Sequence, residues 1–283
     1  MQPSSLQHAA GLPKLIIFDL DGTLAESKAP LDAEMAALLG DLLTHKGQVH
    51  KGQVHKGQTQ RQVAVISGAS FAQFQTQFLA HFDVLENKAE AFANLSILPT
   101  SGSSFYKYDP VDPRGASTGG WVLVYQHNLS LEEKSRIKNA LAVVAGDMHF
   151  EKTYGPQLED RESQMTFSAL GQQAPIEIKK DWDPDHKIRE SMVARLRPML
   201  PDFELNIGGM TTIDVTKKGI DKEYGVNALV EHFAVSKSDV VYVGDAIFPG
   251  GNDYAAVMAG LPTQPVKNVS ETKSYIRSLL QSF

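Results

Sequence analysis

The chain has 283 residues, 42% of them hydrophobic and 21% charged, with a net charge of −6. That length fits two domains, that composition supports a packed core, and the acidic balance argues against a nucleic-acid-binding surface. With no cysteine, disulfides, thiolate metal sites and cysteine nucleophiles are excluded. The opening "MQPSSLQHAAGLPK" carries no apolar segment of signal-peptide length. No stretch approaches the run of about 18 apolar residues that a membrane helix needs. The expectation is a cytoplasmic protein with no membrane and no nucleic acid among its partners.

Leu15–Phe18 is continuously apolar and ends in turn residues, which predicts a buried strand. Asp32–Leu43 carries Met35, Leu38, Leu39, Leu42 and Leu43 at helical spacing. Next comes "HKGQVHKGQVHKGQT", a five-residue unit repeated three times over 45–59. Its glycines and few apolar residues predict a solvated surface loop. Steps of five place His45, His50 and His55 on different helix faces, so metal binding there is disfavoured. Val63–Ile66 reads as a second buried strand and Phe71–Phe82 as a second helix. Strand–helix–strand–helix predicts parallel βαβ units with loops gathered at one sheet edge.

From Lys88 to Thr216 the pattern changes to partly alternating strands, in "GSSFYKYDP", "GWVLVYQHN", "QMTFSALG", "FELNIGG" and "TTIDVTKK". Ser130 with Glu133 forms a capping box ahead of a helix that stops near Gly146. Asp183-Pro184 reads as an N-cap and first helical residue, leading into Ile188, Val193, Leu196 and Leu200. After this α+β segment, Asp221–Phe233 reads as a helix and Val240–Val243 as a buried strand ending in "GDAIFPGGNDYAA". The predicted architecture is an α/β core with a parallel sheet, from 1–87 and 217–283, interrupted by an α+β cap over 88–216.

Chemistry concentrates where strands end. Asp19 and Asp21 lie two positions apart, so extended backbone aims both carboxylates to one side. Two like charges that close need a cation or a shared proton. An all-oxygen carboxylate site suits Mg²⁺, and a carboxylate can attack phosphorus to form an aspartyl-phosphate.

In "FDLDGTL" the chain resembles the first motif of the haloacid dehalogenase (HAD) superfamily of phosphotransferases. The resemblance implies a Rossmann-like core with Asp19 as nucleophile and Asp21 as general acid and base. Ser67, ending "VAVIS", and Lys222, in "GIDK", would contact the phosphoryl group, with Lys217 and Lys218 as neighbouring candidates for the lysine. Mg²⁺ would be held by Asp19, the Asp21 backbone carbonyl and Asp245. Asn252 and Asp253 would orient Lys222 or metal-bound water. Backbone at Gly22 and Gly68 would cradle phosphate.

An insert between the second and third motifs is similar to the large C2B-type cap. "IGGMTTIDVTKKGIDKEYG" and "GDAIFPGGNDY" resemble eukaryotic-type phosphomannomutases, which share this architecture with Cof-type and sucrose-phosphate phosphatases. That likeness implies cap substrate contacts at Arg161, Thr166, Gln172 and Lys179, with Thr212 and Asp214 on a later strand. Phosphomannomutases grip a second phosphate with several cap arginines. Here one arginine position is kept (Arg161), one is lysine (Lys179) and one is glutamine (Gln172), while an asparagine position is Thr166. The reading therefore favours a Mg²⁺-dependent phosphatase acting on a small phosphorylated metabolite, a sugar phosphate above all. A sugar phosphomutase is the alternative. A non-catalytic binding protein is disfavoured because Asp19 and each of its partners are present. The resemblance also implies a possible homodimer through the cap.

Overall fold

The computed structural model describes residues 13–45, 61–148, 150 and 152–282. The expected signal-free N-terminus and the HKGQV repeats beyond His45 lie outside these residues.

Strand β1 (Leu15–Asp19) runs parallel between β2 (Gln62–Ile66) and a strand from the far end of the chain, Val240–Gly244. Helix α1 (Ala33–Thr44) joins β1 to β2, with the Asp32 carboxylate accepting from Met35 N–H as its cap. The helix predicted from Phe71 is helical throughout but uneven. One α-turn, α2 (Phe71–Gln73), passes into a π-turn over Phe74–Phe78 and a 3₁₀ stretch over Leu79–Val84. Phe74, Phe78 and Phe82 recur every four residues and are all buried.

Helix α3 (Lys88–Ala93) and β3 (Leu95–Leu98), neither singled out by periodicity, follow. Then β4 (Ser104–Tyr108) and β5 (Trp121–Gln126) add an antiparallel hairpin. All three strands belong to the first sheet, whose seven strands run β11 (Thr263–Pro265), β10 (Val240–Gly244), β1, β2, β3, β4 and β5. This corrects the segment expected to separate at Lys88. The second sheet begins only with β6 (Leu158–Asp160). Alternating strands at the edge of a parallel sheet look like strands of a separate α+β unit, because alternation records burial and not which sheet a strand joins.

The second sheet, ordered β6-β7-β9-β8, is antiparallel and contains β7 (Met165–Ser168), β8 (Phe203–Gly208) and β9 (Thr212–Lys217). Helix α4 (Leu131–Gly146) precedes it, with the predicted Ser130/Glu133 capping box. Between β7 and β8 lie α5 (Ile176–Trp182) and α6 (Lys187–Leu196). Asp183 does cap α6, but from outside. Its carboxylate accepts from Ile188 N–H, Arg189 N–H and Arg189 Nε, while Pro184 stays in the turn ahead of the helix. The chain returns to the first sheet through α7 (Lys222–His232), β10 (Val240–Gly244), α8 (Tyr254–Met258), β11 (Thr263–Pro265) and α9 (Val269–Gln281).

Period-two geometry then positions the site. In β1, Ile16 and Phe18 face one apolar layer, with α1 and α9, while Leu15 and Ile17 face the other, with α7 and α8. Burial on both faces explains the unbroken apolar run. In the second sheet Met165, Phe167, Ile213 and Val215 pack on α4 and α6. The intervening Thr166, Thr212 and Asp214 therefore stand on the helix-free face. That face covers the carboxyl ends of the first sheet's parallel strands, and the two enclose a cavity of about 1320 Å³.

Candidate active site

Asp19 is the last residue of β1 and is buried at the cavity floor. Lys222, first residue of α7, donates from Nζ to Asp19 Oδ1 at 2.6 Å and to Asp253 Oδ1 at 2.8 Å. The neighbouring candidates point elsewhere. Lys217 pairs with Glu133 at 3.6 Å and Lys218 donates to the Pro201 carbonyl. Tyr242 O–H donates to Asp253 Oδ1 at 2.6 Å, and Ala246 N–H to Asp253 Oδ2 at 3.1 Å. Asp253 is thus a fully buried anchor holding Lys222 over Asp19. Nothing in "VVYVG" marked Tyr242 in advance, since an aromatic inside an apolar strand is ordinary core.

The two aspartates of "FDLDG" do not act as one pair. The strand ends at Asp19, and Leu20 turns the chain by accepting from Leu24 and Ala25 N–H. Asp21 Oδ1 instead accepts from Lys28 N–H at 2.7 Å and Gln77 Nε2 at 3.0 Å. Both carboxylates still line the cavity. The close group of acidic oxygens is Asp19, Asp245 and Asp253, with ligand atoms within 4.8 Å of one another. The Asp21 carboxylate is not part of this group, and the expected Asp21 metal ligand is its backbone carbonyl.

Three carboxylates against one ammonium leave an excess of negative charge. Burial pushes the Asp19 carboxyl well up, against the pull of Lys222, and the charges of Asp253 and Asp245 add to the rise. Burial, then the charge of Asp253, raises Asp245 to about 6. Burial alone would lower Lys222, but Asp19 and Asp253 outweigh it and keep the ammonium protonated. An oxygen-only, net-negative cluster of this kind fits a hard divalent cation such as Mg²⁺. Gly22 lies alongside with φ +87°, and a Cβ there would strike the Asp245 carboxylate.

Ser67 directly follows β2, and its Oγ accepts from Ala69 N–H at 3.1 Å. Among the described residues Gly68 N–H has no acceptor, and Gly68 lines the cavity. Asn252 lines it too, without a hydrogen bond to Lys222. The cap residues named from sequence, Arg161, Thr166, Gln172, Lys179, Thr212 and Asp214, all face the same cavity. Thr166 Oγ1 donates to Asp214 Oδ1 at 2.8 Å, and Thr212 Oγ1 to the Gly208 carbonyl at 2.6 Å. Burial raises the Asp214 carboxyl, with Arg161 opposing. Lys179 Nζ donates to the Gln172 carbonyl at 3.2 Å. Burial, and then the charge of Lys28 across the cavity, lowers Lys179. Arg161 donates from Nη1 to the Gly68 carbonyl and from Nη2 to Glu159 Oε2 at 2.7 Å. Fully buried Gln164, which sequence reasoning missed, donates to the same Gly68 carbonyl at 3.3 Å.

The site thus has a buried aspartate at a central strand end of a parallel core, a lysine on its oxygen and an antiparallel sheet covering both. Solved structures share the fold. An IMP-bound, N-terminally truncated IMP-nucleotidase of Plasmodium falciparum superposes with a TM-score of 0.65 at 17% identity, over 96% of this chain and 68% of that one. The sucrose-phosphatase of Synechocystis gives 0.52 at 14% identity, over 94% and 88%. The sequence model of eukaryotic phosphomannomutase matches residues 124–282, more than half of the chain, and the chain belongs to that family. Human phosphomannomutase 1 is 24% identical over 245 residues, covering 85% of this chain and 81% of its own. The Schizosaccharomyces pombe phosphomannomutase is 26% identical over 249 residues, covering 85% and 83%.

Proposed function

We propose that the chain is a Mg²⁺-dependent phosphatase of small phosphorylated metabolites, sugar phosphates above all, working through an aspartyl-phosphate on Asp19. The first sheet serves as core, and the inserted sheet with α4 to α6 as cap. The observation that carries the choice of hydrolysis is the cap face above Asp19. Arg161 is committed to Glu159 and the Gly68 carbonyl, and the position at Gln172 is neutral. Of the cap positions compared, only Lys179 offers a cation without a carboxylate partner among the described residues. A mutase must hold a second phosphate firmly while its sugar turns over; a phosphatase need not.

Asp19 attacks phosphorus as the ester P–O bond breaks, and Asp21 gives its proton to the leaving oxygen. Asp21 then takes a proton from the water that attacks the aspartyl-phosphate, which releases orthophosphate and restores Asp19. Its Oδ1 is held by Lys28 N–H and Gln77, leaving Oδ2 for these transfers. Ser67 O–H, Gly68 N–H and Lys222 Nζ donate to phosphoryl oxygens as charge redistributes. Mg²⁺, held by Asp19 and Asp245 with Asp253 behind them, would neutralise the repulsion between carboxylate and phosphate. The cap excludes bulk water from the cavity.

One observation favours the mutase reading. Lys28 and Lys179 face each other from the two sides of the cavity, and neither forms an ion pair among the described residues. Facing lysines would suit a second phosphate. Both readings are tested by incubating the protein with a panel of sugar phosphates, with Mg²⁺ or with EDTA, while phosphate release and isomer formation are followed together. Phosphate release that requires Mg²⁺, and more Mg²⁺ below pH 6 where protons compete for Asp245, is the expected result. Isomer formation without net phosphate release would overturn it.

A further inference from the structure

We infer that Arg161 and Gln164 are positioning residues for the phosphate-binding loop of the core, and not ligands of a distal phosphate. The inference rests on the phosphoryl-transfer reading above.

Three successive carbonyls of that loop are each tied to a donor behind it. Ser67 C=O accepts from Ser101 N–H at 2.8 Å, and Ala69 C=O from Thr100 N–H at 2.8 Å. Gly68 C=O, between them, accepts from Arg161 Nη1 and Gln164 Nε2. Each carbonyl shares its peptide plane with the next residue's N–H. Ser101 on the Ser67 carbonyl therefore aims Gly68 N–H, which has no acceptor among the described residues. Arg161 and Gln164 on the Gly68 carbonyl aim Ala69 N–H, which holds the Ser67 hydroxyl. An amide held in advance costs no reorganisation when it meets developing charge. Two of the four groups come from the core and two from the turn between β6 and β7, so the loop is complete only with that turn in place.

The turn is built to stay there. Ser163, fully buried at its tip, shares hydrogen bonds with Thr100 Oγ1 at 2.9 Å and Ser103 Oγ at 2.8 Å. Leu129 N–H donates to the Glu162 carbonyl at 2.9 Å, which ties the turn to the connection leaving β5. On the core side Thr100 and Ser101 have φ of 53° and 56°. Left-handed backbone at a β-branched residue is unfavourable and persists only where the surroundings over-determine it. Here the strain turns two N–H groups onto the Ser67 and Ala69 carbonyls.

Arg161 is also poorly placed for substrate. Its side chain is 6% exposed, Glu159 takes Nη2 and the Gly68 carbonyl takes Nη1.

Orthophosphate is the probe, because it carries no distal group, and the part of its binding that requires Mg²⁺ reports the core site beside Asp19 and Asp245. Its binding with Mg²⁺ is measured by calorimetry on the parent, Arg161→Lys and Gln164→Met. The lysine keeps the charge but loses the fork, and the methionine changes no charge, so long-range attraction does not enter the comparison. We expect the Kd to rise on the order of tenfold in Arg161→Lys and a few-fold in Gln164→Met, in line with losing a charged and a neutral hydrogen bond. Should Arg161→Lys not fold, Gln164→Met alone decides. Unchanged orthophosphate binding in a folded variant would overturn the positioning role, even if KM for a phosphate ester rose. A parent protein that binds no orthophosphate with Mg²⁺ would overturn the phosphoryl-transfer reading along with it.

Discussion

Asp19→Asn is expected to lower phosphate release by at least about 10⁴-fold, the scale seen when a covalent nucleophile is removed. The amide keeps the shape and one oxygen but cannot form the acyl phosphate. The same change should leave the fold intact, and the variant should melt no lower than its parent in the absence of metal. Burial already pushes the Asp19 carboxyl upward, and the Asp253 and Asp245 charges push it further. Neutralising it therefore relieves crowding as it removes one partner of Lys222. Steady-state assay and thermal melting check both halves. Undiminished turnover would sink the nucleophile assignment, and a large loss of stability would show that Asp19 is held mainly as a structural ion pair.

Lys222→Met should behave in the opposite way toward stability. The ammonium lies within 2.8 Å of two buried carboxylates and is itself buried. Methionine preserves the stem and the first turn of α7 but leaves Asp19 and Asp253 without their cation. Breaking a buried ion pair from one side costs about 3–5 kcal/mol, so the denaturation midpoint of the metal-free protein should fall clearly. Turnover should drop by about 10²–10³-fold, the scale for one lost electrostatic contact to a transition state. A variant as stable as its parent would mean that the two carboxylates share a proton and that Lys222 contributes little to holding them.

Much of the site could be read from the sequence because strand ends are conspicuous. Unbroken apolar runs at 15–18, 63–66 and 240–243 stop at Asp19, at Ser67 and at Gly244-Asp245, and parallel βαβ connectivity brings such ends together. Asp19 was reachable in that way, whereas Ser67, Lys222 and Asp245 followed from the resemblance of the ordered motifs to the HAD superfamily. Asp21 lines the cavity with Asp19, but the chain already turns at Leu20, so its carboxylate accepts from Lys28 N–H and Gln77 and stays out of the acidic cluster. Asp253, expected to orient Lys222 or metal-bound water, joins Asp19 and Asp245 there. Periodicity could not find it, since it lies in a loop and is held by a tyrosine indistinguishable from core. The cap boundary failed for another reason. Strands β4 and β5 are only partly buried, and their sheet is revealed by pairing alone, β4 with β3 and β5 with β4. Gln164 went unnoticed because its value lies in a carbonyl 96 positions away along the chain.

The central claim, that a phosphoryl group passes through Asp19 on its way to water, is tested most directly by trapping the intermediate. Protein mixed with a labelled phosphate ester and Mg²⁺ is quenched in acid within a single turnover, and its peptides are mapped. The account predicts an acyl-phosphate label on the peptide carrying Asp19 that appears before free phosphate and is discharged to orthophosphate on further incubation. Phosphate released with no label at any time, or label found on Ser67 and not on Asp19, would contradict it.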